Sequence, residues 1–125
     1  MDPYREEILE HWQNPQNFGV MQGADVVIEQ INPLCGDEVT FYFRIRDNRI
    51  KEVLFIGNGC AISIASASML SEAIKNKPIS ILSKITGQDV LNLIGGPSAS
   101  SGFPPARLKC AFLALEAVRK VTSNR

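Results

Sequence analysis

Nine residues, EVTFYFRIR at 38–46, alternate between two faces without a break, and a second apolar run, RIKEVLFI at 49–56, follows after only Asp47 and Asn48. A period of two belongs to a strand with one face buried and the other partly wet. Val39, Phe41, Phe43 and Ile45 take one face; Thr40, Tyr42, Arg44 and Arg46 take the other. Asp and Asn both tolerate the left-handed backbone of a two-residue turn, so the two runs predict an antiparallel hairpin. ADVVIEQI at 24–31 is rich in β-branched residues and predicts a third strand ahead of it.

Helical signals flank this meander. In DPYREEILEHWQNPQ, Asp2 suits an N-cap, Pro3 the first helical position, and Glu6 and Glu7 the positive end of the helix dipole. Pro15 ends the run. Gly57 and Gly59 break the third strand, and Ile62, Ala65, Met69 and Ala73 then recur at helical spacing, predicting a helix over 61–76. Ser63, Ser66, Ser68 and Ser71 in that helix read as small packing residues. ISILSKI and GQDVLNLI predict two short helical pieces around Gly87. GGPSASSGFPP at 95–105 is a loop, and PARLKCAFLALEAVRKV is a final helix with Leu108, Phe112 and Leu115 as its core stripe. A chain of 125 residues, 45% of them hydrophobic, predicts one α+β domain over 1–125 with a single core.

Charge narrows the partners. Thirteen basic and thirteen acidic residues cancel, so no basic excess is available for phosphates and nucleic acid is not an expected partner. No apolar run reaches the roughly 18–20 residues of a membrane span. The acidic N-terminal stretch lacks the apolar core of a signal peptide, and a cytoplasmic location is expected. Three cysteines are an odd and sparse set for a secreted disulfide framework, which leaves burial or ligation as their roles.

Cys35 lies in NPLCGDEV, a turn between the first two predicted strands, two residues before Asp37. Cys60 stands at a strand-to-helix junction, where a helix N-terminus favours the thiolate, and Cys110 lies in the first turns of the last helix, where the same effect is weaker. Arg107 shares a helix face with Cys110; Lys109 is adjacent but points about 100° away. Antiparallel pairing returns the third strand to the edge where the second begins, so Cys35, Asp37 and Cys60 are expected to meet, with Cys110 brought in by the last helix. Three thiolates and a carboxylate suit Zn2+ and equally suit iron-sulfur chemistry.

At these residues the chain resembles the U-type iron-sulfur cluster assembly proteins, the family of IscU, SufU and the N-terminal domain of NifU. ILEHWQNPQNFG resembles the family's first helix and its exit. NPLCGD, GNGCAISIASASMLSEAIK and FPPARLKCAFLALEA resemble its three cysteine segments, in family order. The resemblance implies a three-stranded antiparallel sheet with helices packed on it, of the SufE/NifU-like kind. It implies that Cys35, Asp37, Cys60 and Cys110 hold Zn2+ or a [2Fe-2S] cluster, with Arg107 and Lys109 behind them. It further implies that a cysteine desulfurase of the SufS, IscS or NifS type supplies sulfur. The chain would then assemble a cluster or pass the sulfur to acceptor apoproteins, as a scaffold or sulfurtransferase-like acceptor rather than a conventional enzyme. Lys109 stands where the IscU branch has histidine, and the stretch between Cys60 and Cys110 is longer than in that branch, which leans towards SufU; the insertion is shorter than is typical of SufU. Under the SufU pattern Cys35 is the sulfur acceptor; under the IscU pattern it is Cys110.

Two other classes compete. A metal-free cysteine enzyme needs a base beside its nucleophile, and the sole histidine, His11, lies in the N-terminal helix, where a surface or packing role suits it. A structural zinc module that only binds partners would favour a closed set of Cys and His ligands over one containing Asp37. Leu34 and Phe103, near the cysteine edge, suit either partner docking or the core.

Overall fold

The computed structural model describes residues 3–33, 36–95 and 105–123. The elements run α1 (Pro3–Gln13), β1 (Val26–Ile31), β2 (Glu38–Arg46), β3 (Arg49–Asn58), α2 (Ala61–Ile74), a 3-10 turn (Ile79–Ser83), α3 (Gly87–Gly95) and α4 (Pro105–Ser123). The strands form one antiparallel sheet in the order β1-β2-β3. The expected α+β architecture, a three-stranded antiparallel sheet with helices packed on it, is the one observed.

Asp47 and Asn48 take φ values of 54° and 60°, the left-handed pair of a type I′ turn. The turn fixes the β2–β3 register, in which Phe41 faces Phe55 and Glu38 faces Asn58. Alternation then sends Val39, Phe41, Phe43 and Ile45 inward, all buried. Phe41 stacks on Phe55 at 5.6 Å and on Phe43 at 6.0 Å between ring centroids. The register shifts between Arg44 and Ile45, and there the Ile45 N–H donates to the Asp25 carboxylate at 2.7 Å. The third strand does not stop at Gly57 but runs on to Asn58. A Cβ at Gly57 would lie 2.9 Å from the Glu38 carbonyl oxygen and 3.2 Å from Ile64 Cδ1. The glycine therefore permits the tight pairing and the approach of α2, rather than breaking the strand.

α2 packs on β3 and between α1 and α4, and α4 lies across β1 and β2. The main core joins the sheet to Ile64, Ala67, Leu70 and Ile74 of α2 and Leu113, Ala114, Ala117, Val118 and Val121 of α4. A second cluster, Ala65, Met69, Leu91, Ile94 and Ala111, joins α2, α3 and α4, with Leu108 and Phe112 partly buried against it. Of the expected α4 stripe, Leu115 joins the main core, Leu108 packs on the second cluster and Phe112 packs on both, so the helix is buried on two sides. Thr86 and Asp89 cap α3 reciprocally, each side chain accepting the other's backbone N–H, at 2.9 and 3.2 Å.

Serines let α2 sit close to the N-terminal segment. Ser68 Oγ accepts the Gln16 N–H at 2.8 Å and lies 2.7 Å from His11 Nδ1; Ser71 Oγ accepts from Asn17 Nδ2 at 3.0 Å. Residues 17–19 then bond to the outer edge of β3, through Phe55 N–H to the Asn17 carbonyl (2.9 Å) and Gly19 N–H to the Phe55 carbonyl (2.8 Å). Among the described residues no helix is long and apolar enough to cross a membrane.

The turn geometry generates a test. Asn48→Val forces a β-branched residue into the left-handed region and should lower stability by about 1–2 kcal/mol, whereas Asn48→Gly should leave it unchanged or raise it. Urea unfolding of both variants checks this; equal midpoints would remove the turn from the account of register.

Candidate metal centre

The site is built at the end of the sheet away from the Asp47-Asn48 turn. β2 begins directly after Asp37, and Glu38 pairs with Asn58, the last residue of β3. Antiparallel register therefore delivers Asp37 and the Gly59–Cys60 segment to the same place. Gly36, at φ 76°, closes the approach: its N–H donates to the Asn32 carbonyl, and the Asn32 N–H donates to the Asp37 carbonyl, both at 2.8 Å. A Cβ at Gly59 would lie 2.7 Å from Asp37 Cγ and 3.0 Å from Oδ1, so only glycine leaves room for the carboxylate. Cys60 is the N-cap residue of α2, with extended backbone. Cys110 lies in the second turn of α4 and faces inward.

A carboxylate oxygen of Asp37 and the sulfurs of Cys60 and Cys110 all lie within 4.8 Å of one another. Asp37 is 8% exposed and Cys110 5%; Cys60 is half-buried, and neither cysteine is in a disulfide. Asp37 Oδ2 accepts the Ser63 hydroxyl at 2.6 Å and the Cys60 backbone N–H at 3.4 Å. Ser63 Oγ also lies 3.6 Å from Cys60 Sγ.

Burial pushes the Asp37 carboxyl upward, but the hydrogen bonds from Ser63, from the Cys60 backbone and from the two thiols outweigh it and hold the group below the usual carboxylate range. Cys110 goes the other way. Burial, then the hydrogen bond with Cys60, then the charges of Cys60 and Asp37 push its thiol up to about 12, with only Ser63 opposing. The expectation that a helix N-terminus favours the Cys110 thiolate is overturned: depth in the fold and two acidic neighbours exceed the effect of the dipole. Three groups that become anionic so close together call for a cation. Two soft sulfurs and one hard oxygen fit either zinc or iron within an iron-sulfur cluster.

Of the residues expected at this site, Asp37, Cys60 and Cys110 come together. Cys35 and Leu34 lie outside the described residues, as does Phe103. Arg107 is in the first turn of α4, with its side chain outside the described atoms, and Lys109 is exposed. His11 packs on α2 through Ser68, with Nε2 3.6 Å from Glu72, in the packing role expected of it. Ser63 belongs to the site, although its spacing reads as packing alone. Its signal was its place in the first turn of α2, three residues after Cys60, where side chains share a face.

Comparison with known proteins follows the same line. The family model described as the NifU-like N-terminal domain matches residues 3–124. The chain is 38% identical to the iron-sulfur cluster assembly scaffold protein IscU 1 of Archaeoglobus fulgidus over 94% of this chain and 72% of that protein. It is 37% identical to the zinc-dependent sulfurtransferase SufU of Bacillus subtilis over 94% of this chain and 87% of that protein. In fold it is similar to the N-terminal part of a NifU-like protein from Brucella abortus, with a TM-score of 0.78 at 22% identity, over 98% of this chain and 93% of that one. The similarity does not single out the SufU branch, since the two curated relatives match almost equally.

The raised Cys110 thiol sets the sign of a pH dependence. Below about 12 Cys110 keeps its proton in the metal-free chain, so a metal must expel it on entering. Zinc affinity should therefore rise with pH, by at least about tenfold per unit between roughly pH 6 and 8. Chelator competition across that range checks it; a flat profile would mean that Cys110 is not a ligand.

Proposed function

The chain belongs to the NifU-like N-terminal domain family, and from that premise we propose that it is an iron-sulfur cluster assembly protein that accepts sulfur from a cysteine desulfurase. The observation that carries this reading is the meeting of Asp37, Cys60 and Cys110 within 4.8 Å at one end of the sheet. Cys35, two residues before Asp37 in the chain, is the fourth ligand in this reading. Zinc, when bound, keeps its cysteine ligands deprotonated at neutral pH.

The chain's own residues define the chemistry. A cysteine thiolate attacks the terminal sulfur of the desulfurase persulfide. A new sulfur–sulfur bond forms on this chain, and the bond to the desulfurase cysteine breaks. The electron pair leaves with that cysteine, which takes up a proton. Cys60 is held at the cap of α2, and Cys110 is buried. This favours Cys35 as the acceptor, the role expected under the SufU pattern. In this reading Lys109, exposed in α4, and Arg107, one turn before Cys110, contribute positive charge at that end of the helix. The chain acts as one domain in the cytoplasm and hands its sulfur to acceptor apoproteins. The 38% identity to an IscU scaffold favours a second reading, in which a [2Fe-2S] cluster is assembled on the same ligands.

Metal and acid-labile sulfide content, measured on protein purified without oxygen, separates these readings. About one zinc per chain and no sulfide is expected for the acceptor; equal iron and sulfide with visible charge-transfer bands would establish the scaffold. With radiolabelled cysteine and a desulfurase, Cys35→Ser should lose persulfide labelling to background. Full labelling of that variant would move the acceptor to another cysteine.

A further inference from the structure

Ser63 does more than fill space. Its side chain is buried, at 4% exposure, and its hydroxyl lies 2.6 Å from Asp37 Oδ2. A hydroxyl has one proton to give, and the carboxylate receives it. The Cys60 N–H at 3.4 Å points to the same oxygen. On the other side the carboxylate rests against the backbone of Gly59, where even a methyl group would overlap Asp37 Cγ. The carboxylate is therefore wedged between a glycine and a helix turn, with both donors on Oδ2.

We infer that Ser63 is a positioning residue of the metal centre: its hydroxyl holds Oδ2 of Asp37 and so fixes the orientation in which the carboxylate serves as the oxygen ligand beside Cys60 and Cys110. The inference rests on the reading of these residues as a metal site. It extends that reading to a residue that donates no atom to the metal. A carboxylate tethered through one oxygen enters the ligand set already oriented; without the tether it must be ordered each time the metal binds. Partners of this kind typically govern metal affinity by one to two orders of magnitude.

The test uses the zinc-loaded full chain and a chromogenic chelator. Ser63→Ala replaces a serine in a helix by a stronger helix former, so the variant should fold, and thermal unfolding of the metal-free protein verifies this. Zinc release from Ser63→Ala should be roughly 10–100-fold faster than from the parent. In an Asp37→Ala background the same substitution should have a much smaller effect, because the route through the carboxylate is gone and only the 3.6 Å approach to Cys60 Sγ remains. Release at the parental rate overturns the inference. Equal acceleration with and without Asp37 also overturns it, since the hydroxyl would then act elsewhere. A parent chain that binds no zinc would sink the metal-site reading itself, and this result is distinct from the other two.

Discussion

A slip of one residue between β2 and β3 would carry Asp37 away from Cys60 and turn Phe41 and Phe43 out to water. Register is therefore the constraint on which both the core and the site depend. It is held at one end by the left-handed Asp47-Asn48 pair and along its length by three buried phenylalanines. The irregularity between Arg44 and Ile45 does not loosen it, because Asp25 receives the Ile45 N–H and pairs with Arg46 at 3.0 Å. The same pairing that buries the aromatic rings on one face brings an acid and a helix cap together at the far end. Packing and chemistry share one set of backbone bonds.

α2 links the remaining parts. Its large side chains enter the sheet core, while its serines are buried too, Ser63, Ser68 and Ser71 beside neighbours close enough for their hydroxyls to bond. Ser68 and Ser71 tie the N-terminal segment; Ser63 ties Asp37. Each hydroxyl satisfies a polar group that burial would otherwise leave costly. The site thus sits where three differently anchored pieces converge: a strand start, a helix cap and the second turn of α4. The fold favours the charge on Asp37 and opposes it on Cys110, whose thiol is pushed up by burial and by its neighbours.

Much of this was legible in the residues. Alternation over 38–46 marks the hairpin, and antiparallel pairing alone brings Asp37 to Cys60. What escaped was whatever depends on depth or on a neighbour distant in sequence. Gly57 has the propensity of a strand breaker, but its missing Cβ answers to the Glu38 carbonyl and Ile64, which no local pattern reveals. The α4 stripe of Leu108, Phe112 and Leu115 was only part of what that helix buries, because a helix covered on two sides has no single apolar face. Serine at helical spacing looks the same whether its hydroxyl meets a carboxylate or nothing, so Ser63 was hidden. Spacing placed Cys110 near a helix start but not how far it lies from water, and depth decided its protonation.

The segment at Asn17–Gly19 has a consequence of another kind. It is not a strand, yet it occupies the outer backbone groups of Phe55 and sets Phe18 edge-on against the Phe55 ring at 5.3 Å. Exposed sheet margins are templates on which further chains can add. By sealing part of the β3 margin with a loop tethered to α2, the fold removes a surface for fibrillar growth next to the site. Copies of the chain are thereby kept from stacking on one another along that side.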